Sequence, residues 1–451
     1  MKKRNDWLTK KKIRRARKEK DRGIADFLRI IVHFFKELPD WVNETEDPRN
    51  TAYITYTQAD LIALGLMKNA CSVESMRRME DVFNEENCIR ALSVLSGNDS
   101  LDEIPHHDTL NIYLSKLSPE CLSVIRRRMV SRLLRSHQFD SGRLLGNYWR
   151  VILDGTGLHS FREKHCDHCL KATYKTDEGK DRTYYYHKVL EAKLVLGDGL
   201  VISLGTEFIE NESENVSKQD CELNAAKRLM ERLKKEYPRL RICVLGDALY
   251  ETEPFMGLCG KFGWRYILTH KNERQKVIGK DYADLEDEDK ISRKGIGKEG
   301  GVGKYRNRMN LISGKKEEMN IFEYIFEDGG KKKTFQWCTD IVLTTKNLEE
   351  MVNAGRSRWN IENEGFNHQK NVLYGIEHLN SRNPNAMKNH YLLTQITDIL
   401  MQLYLRWNPM VKEMGQGIKN TSSRLLESFR RHFITDEDVD FIKRRTSVYL
   451  E

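Results

Sequence analysis

Val151-Ile152-Leu153-Asp154-Gly155-Thr156 is the stretch on which the reading of this chain turns. A short apolar run, ended by a carboxylate and followed at once by small residues, is the pattern of a buried strand that delivers an acid to the open edge of a sheet. Val244-Leu245-Gly246-Asp247-Ala248 repeats the pattern. A third acid, Glu362 in Arg358-Trp359-Asn360-Ile361-Glu362, lies in a segment of helical apolar spacing. Two strand-end carboxylates and one helix carboxylate, brought together, make an all-oxygen site suited to two Mg²⁺ or Mn²⁺ ions. A pair of such ions is what phosphodiester cleavage and transfer need.

Working outward, Tyr148–Phe161, Tyr184–Leu196 and Leu200–Ile209 read as consecutive strands, the last two joined by the tight turn Gly197-Asp198-Gly199. A helix is predicted over Ser217–Tyr237, with apolar Leu223, Ala226, Leu229 and Leu233 on one face. Arg241–Gly246 and Arg265–Thr269 supply a fourth and a fifth strand. Later, Met319–Phe326 and Thr334–Thr344 are strand-like around Gly329-Gly330, and helices are predicted over Asn347–Lys370 and Pro384–Leu405.

In these residues the chain resembles the DDE transposases of bacterial insertion sequences. The likeness rests on Leu153-Asp154-Gly155-Thr156, on Leu245-Gly246-Asp247, on Arg358 to Asn367, and on Lys218-Gln219-Asp220-Cys221-Glu222. It implies an α/β (α+β) fold, a ribonuclease-H-like mixed sheet flanked by helices, with a helical N-terminal domain and a β-rich insertion. In that topology the first and fourth strands are neighbours, which sets Asp154 beside Asp247. The family's third-acid signature, Tyr-x2-Arg-x3-Glu-x6-Lys, is kept at Arg358 and Glu362. Gly355 stands at its Tyr position and Gln369 at its Lys position, with Lys370 one residue late.

The resemblance implies that Asp154, Asp247 and Glu362 are catalytic and hold the two metal ions. It makes Arg358 a fork-shaped donor to a DNA phosphate, with Lys370 as a second phosphate contact. Glu364, two residues past Glu362, is turned about 200° away on a helix and cannot share its role. The implied partners are double-stranded DNA, both element ends with their terminal inverted repeats and the target, and a second copy of the chain in a homodimer. The expected layout is a basic arm at 1–22, a helical DNA-binding domain at 23–146, and the catalytic core at 147–271 and 346–410. A β-rich insertion at 272–345 interrupts the core, and a basic helical tail fills 411–451.

Composition agrees without deciding. Of 451 residues, 32% are charged and the formal net charge is +9, so a polyanionic partner is favoured. Eleven of the first twenty residues are Lys or Arg, an arm suited to neutralising backbone phosphates. Nine irregularly spaced cysteines fit a reducing cytoplasm rather than a disulfide framework. No apolar stretch reaches the roughly 20 residues of a membrane span, and no secretory signal is legible. A soluble, cytoplasmic protein working at the bacterial nucleoid is expected.

Three further features have plainer readings beside the functional one. Trp337 is a candidate to stack on a flipped base beside the cleavage site, against the reading as sheet core. Cys166-Asp167-His168-Cys169, with His159, His165 and His187 nearby, resembles half of a zinc site, against a loop with two reduced thiols. Gly295-Ile296-Gly297-Lys298-Glu299-Gly300 satisfies a dinucleotide-binding pattern, but its charged surroundings predict a flexible loop.

Overall fold

The computed structural model describes residues 22–83, 85–213, 216–273, 275–309, 318–358, 366, 369–370, 374–407 and 418–443. The described residues of 1–138 and 367–451 form one unit, and those of 139–366 another.

The first unit is helical. It opens with α1 (Gly23–Phe35), α2 (Leu38–Asn43) and α3 (Gln58–Ala70), followed by α4 (Met76–Phe83), α5 (Glu86–Ser96), α6 (His107–Lys116) and α7 (Pro119–Arg135). In α1, Ile24, Phe27, Leu28, Ile31, Phe34 and Phe35 recur at three- and four-residue spacing and are buried. The start of α3 is capped reciprocally: the Thr57 side chain accepts from the Asp60 amide while the Asp60 carboxylate accepts from the Thr57 amide.

The second unit is a mixed sheet with helices on both faces. In chain order it contains β1 (Trp149–Phe161), β2 (Leu170–Lys175), β3 (Asp181–Val195), β4 (Val201–Ile209), α8 (Glu222–Glu236), β5 (Ile242–Gly246), α9 (Glu253–Phe262) and β6 (Arg265–Thr269). Next come α10 (Lys276–Asp284), β7 (Ile291–Ile296), β8 (Gly301–Arg306), β9 (Asn320–Asp328), β10 (Lys331–Thr339) and α11 (Leu348–Arg356). The strand order is β2-β3-β1-β5-β6-β10-β9-β8-β7, with β4 on the outer edge of β3. β1 runs antiparallel to β3 and parallel to β5, the neighbour relation expected of the first and fourth predicted strands.

The helices cover the sheet because alternate residues of each strand face opposite sides. Leu229 and Leu233 of α8 press on Gly205 of β4, where an added Cβ would lie 2.9 Å from Leu233. On the other face, Ile152, Leu245, Ile267 and Phe322 form one core with Leu348, Met351 and Val352 of α11.

Two expectations about the strands need correcting. β2 was not legible, and the glycine-rich stretch read as a flexible loop is a hairpin. β7 and β8 pair antiparallel around Gly297-Lys298-Glu299-Gly300, and β8 joins the main sheet through β9. Gly295, Gly297 and Gly300 all have positive φ, which accounts for the glycines without any nucleotide. A strand rather than a helix follows, so the dinucleotide reading fails on context.

The chain then returns to the helical unit through α12 (Pro384–Trp407), α13 (Ile418–Arg431) and α14 (Asp436–Lys443). α12 is buried nearly all round, the mark of a central helix. It packs against α3, α6 and α7. Asn389 of α12 is fully buried and donates to the carbonyls of Leu114 (2.8 Å) and Leu117 (2.7 Å). Across the unit, the Ile24 amide donates to Ser428 of α13 at 3.0 Å. Among the described residues, no helix is long and apolar enough to cross a membrane.

Candidate active site

The parallel register of β1 and β5 ends with Ile152 opposite Leu245. Two residues further along each strand direction stand Asp154 and Asp247, so the apolar runs that bury the strands also set the two acids side by side. Asp154 lies within β1, opposite Glu191 of β3. Its Oδ1 accepts from the Gly155 amide at 3.0 Å. Asp247 follows β5 directly, and its Oδ1 accepts from the Leu249 amide at 2.8 Å, fixing the turn out of the strand.

Asp154 is under electrostatic strain. Burial raises its pKa from 3.8 to about 6, the nearby Arg358 guanidinium opposes that rise, and the charges of Glu222 and Asp247 add to it. Carboxylates gathered in a partly desolvated place repel one another, and either protons or cations relieve the repulsion. The oxygen donors and excess negative charge suit a hard divalent cation.

Glu222 is the site residue that sequence reasoning missed. It is the first residue of α8, and it reaches over Gly155 so closely that a Cβ there would lie 2.3 Å from its Oε2. Both of its oxygens are engaged: Lys188 of β3 pairs with Oε2, and the Tyr250 hydroxyl donates to Oε1 at 2.7 Å. Tyr250 is fully buried, and its hydroxyl pKa is pushed up by burial, then by Glu222, Asp154 and Asp247. Glu222 is thus a fixed negative charge beside Asp154. Its local signals were its place in the Lys218–Glu222 stretch that carries part of the family likeness, and a glycine directly after the first acid, which an approaching side chain requires.

The other expected residues are placed as follows. Arg358 comes just after α11 and acts electrostatically on Asp154. Glu362 lies outside the described residues. Lys370, in the helical unit, forms an ion pair with Glu377 at 2.7 Å. Gln369 is fully buried and bonds Gln395 and Asp398 of α12, at 3.2 and 3.1 Å. Trp337 is 4% exposed. It stacks on Phe322 at 5.1 Å between ring centroids, and Gly355 lies so close that a Cβ would be 2.5 Å from the indole. In this arrangement the ring belongs to the core, with both faces covered and none offered to a base.

An acidic sheet edge backed by fixed charges offers the oxygen donors and the excess negative charge that hard divalent cations bind. A family model described as a transposase DDE domain matches residues 146–397, more than half of the chain. The chain belongs to this family of DDE transposases. No curated protein matches it.

Proposed function

We propose that this chain is the transposase of an insertion sequence, cleaving DNA at the element ends and joining the freed 3′-OH to target DNA. The observation that carries the reading is Asp154 within β1 and Asp247 just past the end of the adjacent parallel strand β5, with Asp154 held at a raised pKa by burial and neighbouring acids. Family membership supports the reaction class.

In this reading Asp154, Asp247 and Glu362 hold two Mg²⁺ or Mn²⁺ ions. Bound divalent cations supply Lewis-acid charge for phosphodiester cleavage. The chain's own residues do the positioning. Glu222, fixed by Lys188 and Tyr250, keeps the field around Asp154 negative, which would strengthen the binding of a cation there. Arg358 holds a phosphate oxygen near the scissile bond through its fork of donors. Lys370 contacts a second phosphate by exchanging its partner Glu377 for DNA. A homodimer brings the two ends together on double-stranded DNA, in a bacterial cytoplasm.

The test uses DNA carrying the terminal repeats that flank the reading frame. Asp154→Asn and Asp247→Asn keep side-chain shape but remove charge, so Mg²⁺-dependent cleavage is lost while end binding persists. Retained cleavage in either variant overturns the assignment. Joined products with a target plasmid separate a transposase from a ribonuclease-H-like nuclease that only hydrolyses.

A further inference from the structure

The loop between β1 and β2 carries a second cluster that the DNA chemistry does not use. Cys166 Sγ, Cys169 Sγ and His187 Nε2 form a near-equilateral triangle, each pair 3.5 Å apart. In a tetrahedral zinc site, with Zn–S of about 2.3 Å and Zn–N of about 2.0–2.1 Å, two sulfurs sit about 3.8 Å apart and sulfur and nitrogen about 3.6 Å apart. The triangle matches those edges within a few tenths of an ångström.

An independent observation points to the same ligand. His165 Nε2 is buried, with no hydrogen-bond partner among the described residues. Its ring stacks on Phe161 at 4.3 Å and meets His187 edge-on at 6.1 Å. A buried imidazole nitrogen without a partner costs free energy unless something binds it. The Cys166 amide donates to Cys169 Sγ at 3.3 Å, an interaction that favours a thiolate.

The fold supplies a reason for a staple here. The β1–β3 register shifts between Gly157 and Ser160, and on its other edge β3 passes from β2, at Tyr186, to β4, at Lys188. His187 therefore sits where the ladder is broken on both sides. Beyond it the β2–β3 ribbon is almost entirely exposed from Lys171 to Tyr184. A two-stranded ribbon without a core is marginal by itself.

We propose that Cys166, Cys169 and His187 bind a structural zinc ion that anchors the base of this ribbon, with the neighbouring His165 ring turning in as the fourth ligand. Binding releases the two thiol protons to solvent and leaves Zn²⁺ held by two thiolates and two neutral imidazoles. The site also braces the approach to the acidic centre. His168 Nδ1 lies 2.8 Å from the Asn211 carbonyl oxygen, the Asn211 side chain donates to the Cys169 carbonyl at 2.9 Å, and its Oδ1 accepts from the Asp220 amide at 3.2 Å. Asp220 is two residues before Glu222, so the zinc loop and the start of α8 are held by one asparagine.

The test is metal analysis of the full chain purified under reducing conditions without chelator, together with Co²⁺ substitution. The expected result is about one zinc per chain, and a cobalt spectrum with tetrahedral d–d bands and thiolate charge transfer. Cys169→Ser and His187→Asn lose the metal, and Asp154→Asn retains it, which separates this site from the acidic one. Because the cobalt spectrum is read on the unmodified chain, a variant that fails to fold leaves the proposal testable. Unmodified protein that takes up neither ion, or that yields a Cys166–Cys169 disulfide by mass spectrometry, overturns it.

Discussion

Replacing Asp154 with Asn should make the metal-free protein more stable while abolishing its chemistry. The folded-state pKa of Asp154 is raised from 3.8 to about 6, so above that pH the fold holds an ionised carboxylate that the unfolded chain accommodates more easily. A raised acid pKa means the folded state binds more protons between those two values, so stability falls as pH rises through that window. The penalty is absent below the unfolded value and complete above the folded one. A rise from 3.8 to about 6 corresponds to roughly 3 kcal/mol at neutral pH. Asn keeps an oxygen for the Gly155 amide, so little else is lost. For a unit the size of residues 139–366, 3 kcal/mol is a melting-temperature increase of roughly 6–12 °C. Urea or thermal unfolding in EDTA, from pH 4 to pH 8, measures it. The variant's advantage should be near zero at pH 4 and grow to its plateau above pH 7. An advantage that does not depend on pH, or a destabilised variant, would refute the claim that charge repulsion strains this site.

Other outcomes follow from the same geometry. Glu222→Gln removes one of the charges that raise Asp154, so the Asp154 pKa should fall, measured by carboxyl NMR titration; an unmoved titration would remove Glu222 from the site's electrostatics. Trp337→Ala empties a stacked core position and should cost about 3–5 kcal/mol in urea unfolding, with DNA affinity per folded molecule unchanged. Lost affinity at full folding would restore the base-stacking role. Removing residues 1–22 deletes a run of cations, so the salt dependence of non-specific DNA binding should become shallower. An unchanged slope across a salt series would take the arm out of DNA binding.

How far the sequence carried the fold can be judged element by element. β1, β5 and α12 were legible because their apolar patterns are local; β5 ends at its acid, whereas β1 runs on past Asp154 to Phe161. β2 was not, because Leu170 alone of its six residues is buried and no apolar alternation marks it. The β7–β8 hairpin was hidden for a related reason. Its strands are polar and mostly exposed on β7, and its stability comes from distant partners. Tyr324 donates to the Ile296 carbonyl at 2.9 Å, and Arg356 pairs with Glu299 at 2.8 Å. α8 was expected from Ser217 but begins at Glu222, since the Gln219 side chain bonds the Lys171 amide and carbonyl and the Asp220 amide donates to Asn211 instead. Glu222 stood in a stretch quoted for the family likeness, but its role at the acidic site could not be read locally. Its place depends on Lys188 and Tyr250, each about thirty residues away, and on the missing Cβ of Gly155. For Trp337 the sequence left a stacking role and a core role both open, and its packing against Phe322 and Gly355 agrees with the core reading.

The central claim is that Asp154 and Asp247 are two walls of one cation site. Anomalous diffraction from crystals of the chain with Mn²⁺ and end DNA tests it most directly. The account predicts manganese peaks bridging the Asp154 and Asp247 carboxylates, two of them roughly 3.5–4 Å apart when DNA is bound. Manganese bound elsewhere, with neither aspartate among its ligands in a cleavage-competent complex, would contradict it.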